Sequence, residues 1–383
     1  MERPKIALYW CSSCGGCEES VLDIYENILK IIELTDIVFW PVALDTKYQE
    51  VEGMKDGEIT ACLINGSVRM DEQEYMAKLL RKKSKIVIAH GSCAYIGGIY
   101  GLANLYKREE CLDRAYKEVP SVKNPDGILP QAQSRDGEFE IDLSEFHDLV
   151  KPLNHVIEVD YYIPGCPPNP EYIFEAIISV LQNRMLSKGS VFADQKALCA
   201  TCSRRDTKPE KAVIKEVKRL HEWQWDPGKC FLAQDMICLG PATRGGCAER
   251  CIKANMPCRG CYGSTENVID QGGKFLSSLA SIIDSKDERE IEKIADSILD
   301  MGGFFYRYCL PSSLLEKKIK RLSVEDADLY ISQGKYAEAM DIYRRLISTE
   351  PNNFHVLQRN EELKTFLKLL KKDKINVINP KIF

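Results

Sequence analysis

The chain is 383 residues long, 44% hydrophobic and 28% charged, with a formal net charge of −5. That length leaves room for two or three domains with packed cores, and the acidic balance argues against a nucleic-acid role. No run of about 18 apolar residues occurs, which excludes a transmembrane helix, and sixteen cysteines without a secretory leader point to metal rather than disulfides.

Met1-Glu-Arg-Pro-Lys-Ile leads straight into a strand read over residues 5–10. Neither a signal peptide nor a twin-arginine leader precedes it, so the chain is expected in the cytoplasm. The strand runs into Cys11-Ser-Ser-Cys14-Gly-Gly-Cys17-Glu-Glu-Ser. A helix over 17–34 follows, with Val21, Ile24, Tyr25, Ile28 and Ile32 on one face. These thiols therefore sit on a strand-to-helix turn, at the edge where parallel α/β sheets bind ligands. N–H groups at a helix start favour negative charge, and a thiolate-ligated cluster is such a charge. Gly15 and Gly16 let the backbone come close to it.

Further strands are read over 37–43, 59–65, 85–90 and 155–163, with helices between several of them, including 71–83. The alternation implies parallel βαβ units and a flavodoxin-like domain. Asn65-Gly66-Ser67-Val68-Arg69 closes the third strand as a turn. Lys85–Ala89 ends in His90-Gly-Ser-Cys93, and Val156–Ile163 ends in Pro164-Gly-Cys166-Pro-Pro. If the strands are parallel, all these thiols lie along one sheet edge, and four thiolates are what a 4Fe–4S cluster requires. Cys62, inside a strand, reads as core. Residues 105–154 read as a surface excursion in which Cys111 is isolated and takes no metal. A helix from Pro170 to about Leu186 carries Ile173, Ile177 and Leu181 on one face, and Ser187–Ala193 reads as a linker.

Between residues 199 and 261 there are eight cysteines. Cys199-x2-Cys202-x27-Cys230-x7-Cys238 makes one group and Cys247-x3-Cys251-x6-Cys258-x2-Cys261 another. Eight thiolates suffice for two 4Fe–4S clusters; C-x2-C pairs also hold structural zinc in small ribbons. Residues 265–301 read as helical with an interruption near Ser285, and Cys309 reads as core. In the tail, Ala327, Tyr330, Gly334, Tyr336, Ala339, Tyr343 and Pro351 fall at the spacing of one tetratricopeptide helix pair, with Leu346 departing from the usual small residue. A further helix is read over 353–372. A single repeat cannot bury its own face, so this piece is expected to dock on its own chain or on a partner; an ordinary amphipathic hairpin is the other reading.

C-x-x-C-x-E-S at Cys14, Cys17, Glu19 and Ser20, Gly91-Ser-Cys93-Ala with Gly97-Gly-Ile-Tyr-Gly-Leu-Ala103, and Pro164-Gly-Cys166-Pro-Pro together resemble the small subunit of nickel–iron hydrogenases. Gly240-Pro-Ala-Thr-Arg-Gly-Gly-Cys247 and Pro257-Cys258-Arg-Gly-Cys261-Tyr-Gly are similar to segments of the cytosolic small subunits of the methyl-viologen-reducing and deazaflavin-reducing type. The resemblance fades by about residue 310. It implies that Cys14, Cys17, Cys93 and Cys166 hold a proximal 4Fe–4S cluster. Cys11 has no counterpart in the pattern, and a register through Cys11 and Cys14 stays open. By family order, Cys199, Cys202, Cys230 and Cys238 would hold a distal 4Fe–4S cluster, and Cys247, Cys251, Cys258 and Cys261 a medial one. Cys251 supplies a fourth ligand where exported relatives often have a 3Fe–4S centre.

The implied organisation is a flavodoxin-like domain over residues 1–188, an iron–sulfur domain over 189–310 and a helical tail over 311–383. The implied function is an oxidoreductase subunit without catalytic residues of its own. It would carry electrons from the nickel–iron site of a separate large subunit through three 4Fe–4S clusters to an iron–sulfur or flavin acceptor subunit. Glu19 is expected to bond structurally near the subunit interface. No G-x-G-x-x-G fingerprint occurs, so no flavin or nicotinamide site is assigned. Two alternatives are a relative of the cluster subunit of respiratory NADH dehydrogenase, which has adjacent cysteines where Cys14 and Cys17 are two apart, and a wiring or scaffold subunit whose large partner lacks nickel.

Overall fold

The computed structural model describes residues 3–184, 186–210, 213–283, 285–298, 300–315, 324–349 and 353–373. Its contacts divide into two units, Met1–Lys317 and Lys318–Phe383.

The first unit is built on β1 (Lys5–Trp10), whose residues are apolar on both faces, as a strand covered on both sides must be. The helix expected over 17–34 is two helices, α1 (Gly16–Leu22) and α2 (Asn27–Leu34). Tyr25 separates them, with a φ of +51° that an aromatic residue seldom adopts and that no helix continues through. β2 (Asp36–Phe39) stops short of the expected residue 43, because the amides of Ala43 and Leu44 fold back onto the Trp40 carbonyl. Then come α3 (Tyr48–Gly53), β3 (Ile59–Asn65), β4 (Val68–Met70), α4 (Asp71–Lys83), β5 (Ser84–His90) and α5 (Gly91–Ile96). α4 has the expected bounds: three acids in its first turn and three bases in its last favour both ends electrostatically.

The excursion over 105–154 holds α6 (Arg108–Asp113), an exposed hairpin of β6 (Gln133–Asp136) and β7 (Phe139–Asp142), and β8 (Phe146–Lys151), which pairs antiparallel with β4. The strand expected over 155–163 is only β9 (Tyr161–Ile163). Its start is fixed by Asp160, whose carboxylate accepts the Val87 N–H at 2.8 Å while its own N–H reaches the Val87 carbonyl at 2.9 Å. Both polar groups of Val87 are thus engaged by one residue, and the ladder begins after it. α7 (Pro170–Leu181) follows, with Pro at its start as helices favour.

The sheet order is β2-β1-β3-β5-β9, all parallel, the flavodoxin-like arrangement. Ala7, Tyr9, Cys62, Ile64, Met76, Leu80 and Val87 form the core on the α4 side. Ile6, Leu8, Val21, Leu63, Ile88, Ile173 and Ile177 form it on the side of α1 and α7. A third core gathers Leu198, Phe231, Met236, Leu239, Phe275, Phe305 and Leu310 from the cysteine-rich segment. That segment has only short helices: α8 (Arg250–Lys253), α9 (Gln271–Ala280), α10 (Glu288–Asp296) and α11 (Met301–Phe305). Asp270, Asp287 and Asp300 cap the last three. The expected interruption near Ser285 separates α9 from α10.

The second unit holds α12 (Val324–Ser332), α13 (Tyr336–Thr349) and α14 (Phe354–Asp373) around Ala327, Ala339, Ile342, Tyr343, Leu346 and Leu363. The Tyr343 hydroxyl donates to Asp328 at 2.9 Å. Pro351 lies outside the described residues. Among the described residues no helix is long and apolar enough to cross a membrane.

Asp160 generates the first prediction. Burial would raise its carboxyl, but hydrogen bonds from Lys188, Arg81 and the Val87 amide override burial and lower it. The Asp160 side chain is 1% exposed and that of Arg81 22%, whereas Lys188 is largely exposed and contributes little. Asp160→Asn leaves Arg81 without its charge partner and costs about 3 kcal/mol, read as a lower urea midpoint, while Lys188→Ala leaves the midpoint nearly unchanged. Because the folded carboxyl titrates below its unfolded value of about 3.9, the difference between wild type and Asp160→Asn is complete above that pH and shrinks as pH falls through the lowered pKa.

Candidate metal centres

Three strand ends deliver the first group of thiols. Cys14 lies on the turn after β1, Cys17 in the first turn of α1, Cys93 in the first turn of α5, and Cys166 in the loop after β9. They lie close enough to feel one another. Burial pushes the Cys17 thiol well up, and Cys93, Cys166 and Cys14 push it further. Burial, then Cys166 and Cys14, takes Cys93 to about 12. Cys11 stands apart: buried in the core on the α4 side, it is raised by burial first, then by Cys62 and Glu72. The register through Cys11 therefore finds no support in the geometry, and Cys62 packs as core beside it.

Two other glycines bring the backbone close to sulfur. A Cβ added at Gly16 would make only ordinary contact with Cys14 Sγ, at 3.6 Å. At Gly91, with φ +88°, it would stand 2.3 Å from Cys17 Sγ, and at Gly98, with φ +64°, 2.3 Å from Cys93 Sγ. Neither position tolerates a side chain while those sulfurs stay in place.

The acidic residue that the fold buries is Glu18, one helical turn before Val21, and its neighbour Glu19 is exposed. Glu18 accepts from Trp40 Nε1 and Asn65 Nδ2, while Asn65 Oδ1 accepts from Ser13 Oγ at 2.9 Å. The turn that carries Cys14 is thereby tied to the end of β3. Burial raises the Glu18 carboxyl even against those two bonds. His90, also buried, falls to about 3 by burial alone and is neutral at pH 7.

The eight cysteines of the second segment also lie close enough to feel one another. Burial and then Cys238 lead the causes that raise Cys199 to about 12, with smaller contributions from Cys202 and Cys230. Burial takes Cys238 to about 11, although amides of Gly240 and Cys258 point at its sulfur; the Cys258 N–H donates to it at 3.3 Å. Cys261 is raised by burial, then by Cys251, Cys166 and Cys247. Cys258 is raised by burial, then by Cys238 and Cys261. Cys261 thus lies near Cys166 of the sheet-edge group, and Cys258 lies against Cys238. The Cys247 loop is conformationally forced: Ala248 and Glu249 have φ of +53° and +56°, an uncommon region for residues with side chains. Arg244, 1% exposed, ties it down through Ser264 O, Asp194 O and Gln195 Oε1.

Nothing in the spacing of the cysteines foretells Glu18, Gly91, Gly98 or Arg244. Helical periodicity through Val21 could have favoured Glu18 over Glu19. Cys309 is buried core, with Sγ 3.8 Å from the Phe305 carbonyl, and Cys111 lies on α6.

Buried thiols raised this far stay protonated until a cation draws the protons off. A zinc ion, with Zn–S bonds of about 2.3 Å, would gather four sulfurs within about 4 Å of one another. Among the described residues no three His, Cys, Asp or Glu side chains are grouped tightly enough for a single ion. An N–H donor aimed at sulfur, as from Cys258 to Cys238, suits the negative charge of a thiolate-ligated cofactor.

Residues 14–180 match the family described as NADH ubiquinone oxidoreductase, 20 Kd subunit. The chain is 40% identical over 318 residues to the iron–sulfur subunit of the F420-non-reducing hydrogenase of Archaeoglobus profundus, a match that covers 82% of this chain and 98% of that protein. It is 35% identical over 327 residues to a subunit of the F420-non-reducing hydrogenase of Methanothermobacter marburgensis, with 84% and 98% covered. Among solved structures, an NAD+-reducing nickel–iron hydrogenase in the H2-reduced state is 28% identical, with a TM-score of 0.41, covering 48% of this chain and 94% of that one.

The two forced glycines give a prediction. Gly91→Ala and Gly98→Ala each displace a sulfur of the sheet-edge group and should lower the iron of anaerobically prepared protein by about one cluster, four irons. Gly57→Ala, where the added Cβ meets only a lysine side chain at 3.8 Å, keeps full iron. Full iron in both Gly91→Ala and Gly98→Ala would separate those sulfurs from metal binding.

Proposed function

The chain belongs to the family of the iron–sulfur subunits of F420-non-reducing hydrogenases, and from that premise we propose that it carries electrons from a nickel–iron large subunit through three 4Fe–4S clusters to an acceptor subunit. The observation that carries the reading is the series of thiol groups. Cys166 belongs with Cys14 and Cys17, yet its field reaches Cys261; Cys258 belongs with Cys261, yet its amide bonds Cys238. The order is therefore sheet-edge group, Cys247 group, Cys199 group, which supports the proximal, medial and distal assignments.

Bound there, the clusters would supply one-electron sites whose potentials follow ligand set, hydrogen bonds to sulfur and burial. The chain's own residues do the rest. The α/β sheet holds Cys14, Cys17, Cys93 and Cys166 at fixed strand ends. The amide of Cys258 donates to Cys238 Sγ at 3.3 Å, easing negative charge on sulfur. The Glu18–Trp40–Asn65 contact, with Ser13 donating to Asn65, fixes the turn beneath the first group. The NADH dehydrogenase likeness spans only residues 14–180, and the eight-cysteine segment lies beyond it. The subunit works in the cytoplasm on this reading.

The tail has its own core, and 82% of this chain spans nearly all of the relative from Archaeoglobus profundus, so part of this chain lies beyond that relative. We assign the tail to assembly rather than to the electron path.

Three clusters predict about twelve irons per chain, in protein purified anaerobically with its large subunit. Cys166→Ala removes the signal of the cluster nearest the nickel site and stops hydrogen-dependent dye reduction, whereas Cys11→Ser leaves both. Eight irons or fewer, or stoichiometric zinc, would falsify the three-cluster reading. Cys251 makes the medial cluster a 4Fe–4S centre; a stoichiometric oxidised 3Fe–4S signal in samples never exposed to air speaks against that. Deleting residues 321–383 leaves every cluster signal in place and weakens assembly; loss of a cluster signal with the first unit folded puts the tail in the electron path.

A further inference from the structure

The stretch between Cys202 and Cys230 meets the end of α11 around a cavity of about 490 Å³, a volume within the range of small-molecule sites. None of the cysteines lines it, which separates it from the thiol groups. Its wall carries Lys218, Arg219, His221, Arg259 and Arg307 against one acid, Asp300, in a chain whose net charge is −5. Asp300 is already engaged: it accepts the Gly303 N–H at 2.8 Å as the cap of α11. Lys218 is engaged too, 3.7 Å from Asp235 and 4.7 Å over the Trp223 ring. Among the described residues no carboxylate pairs with Arg219, Arg259 or Arg307. The remaining lining is apolar and includes Met236, Met256 and Phe304.

We propose that this cavity binds a phosphate monoester with a flat apolar body, of mononucleotide size, its phosphate held by Arg259 and Arg307 and its body covered by Met236 and Met256. Both guanidiniums are held with donors to spare. That of Arg259 lies 5.0 Å over the Phe304 ring, a contact that restrains it without using its N–H groups. Arg307 Nε donates to the Gly303 carbonyl at 2.9 Å, which leaves both Nη groups free. Like charges gathered on one wall repel, and an anion among them replaces that repulsion with attraction. Phosphate is the anion these donors fit: a guanidinium fork meets two of its oxygens at once, and a monoester brings a charge of about −1.5 to −2 at pH 7. Bare phosphate would leave the apolar wall against water, so the ligand carries a body that covers it. Arg219 and His221 are exposed and draw an anion toward the cavity.

The test is equilibrium dialysis of labelled AMP and UMP, one purine and one pyrimidine, against the intact hydrogenase complex purified anaerobically. At least one of them binds saturably, one per chain. The matching nucleoside, which lacks the phosphate, and inorganic phosphate, which lacks the body, each bind about tenfold weaker or worse. Arg307→Gln weakens nucleotide binding about tenfold or more, as loss of a charge-assisted hydrogen bond does, with iron content unchanged. Arg219→Gln, a change at an exposed side chain, lowers the affinity by a smaller factor and flattens its dependence on salt; this arm decides the matter if Arg307→Gln loses iron. Binding that neither variant alters belongs to another subunit and overturns the assignment. Inorganic phosphate binding as tightly as the nucleotides makes the cavity an unspecific anion site and also overturns it. So does the absence of saturable binding by both nucleotides: release of the acceptor subunit from the variants in gel filtration then assigns the cations to acidic side chains of a partner, and loss of iron assigns them to the charge of a neighbouring cluster.

Discussion

A thiolate buried without a counter-charge is among the costlier things a protein interior can hold, and the first unit is arranged around that constraint. Its cysteine groups are drawn from strand ends and tight loops, where amide N–H groups point inward instead of closing a helix or a ladder. Cys238 receives the amide of Cys258 at 3.3 Å, a backbone group that would otherwise need a partner. The backbone and the sulfur thus satisfy each other, and the irregular course of residues 199–261 is what makes those amides available. Left-handed turns at Ala248 and Glu249 belong to the same arrangement: strain is accepted where it aims donors.

Much of this is legible in the sequence because it is set by period and spacing. Alternating apolar strands and amphipathic helices fix a parallel sheet, and cysteines just past the ends of β1, β5 and β9 fall on one edge by topology alone. α4 shows its bounds through its terminal charges. What escapes the sequence is set by single side chains acting at a distance. Tyr25 breaks a helix whose apolar pattern runs on unbroken. Asp160 fixes where the β5–β9 ladder begins by occupying both polar groups of Val87, a contact across 73 residues that no local pattern announces. Glu19 stands at the motif position, but helical phase buries Glu18. The clearance required at Gly91 and Gly98 depends on where the Cys17 and Cys93 sulfurs come to rest, which is a property of three strands together.

The parts of the chain differ in what holds them. The sheet and the tail bury apolar side chains between regular elements, so their cores are independent of any cofactor. The cysteine-rich segment has a core of its own in Phe231, Phe275 and Phe305, but its helices are short and its loops depend on Arg244 and on bonds across to the sheet, such as Ser92 Oγ donating to the Cys261 carbonyl. Rearrangement in that segment is therefore transmitted to the first turn of α5, where Cys93 is the next residue after Ser92.

The span of the sheet-edge group sets a timetable for the making of the protein. Cys14 and Cys17 leave the ribosome first, Cys93 next, and Cys166 only after the sheet's last strand, β9, has been synthesised. β9 is three residues long; it pairs with β5, and Val191 bridges its other side. On the ligand set proposed above, the four thiols come together only after that short strand has settled, so a cluster there would be built after the whole sheet has been made.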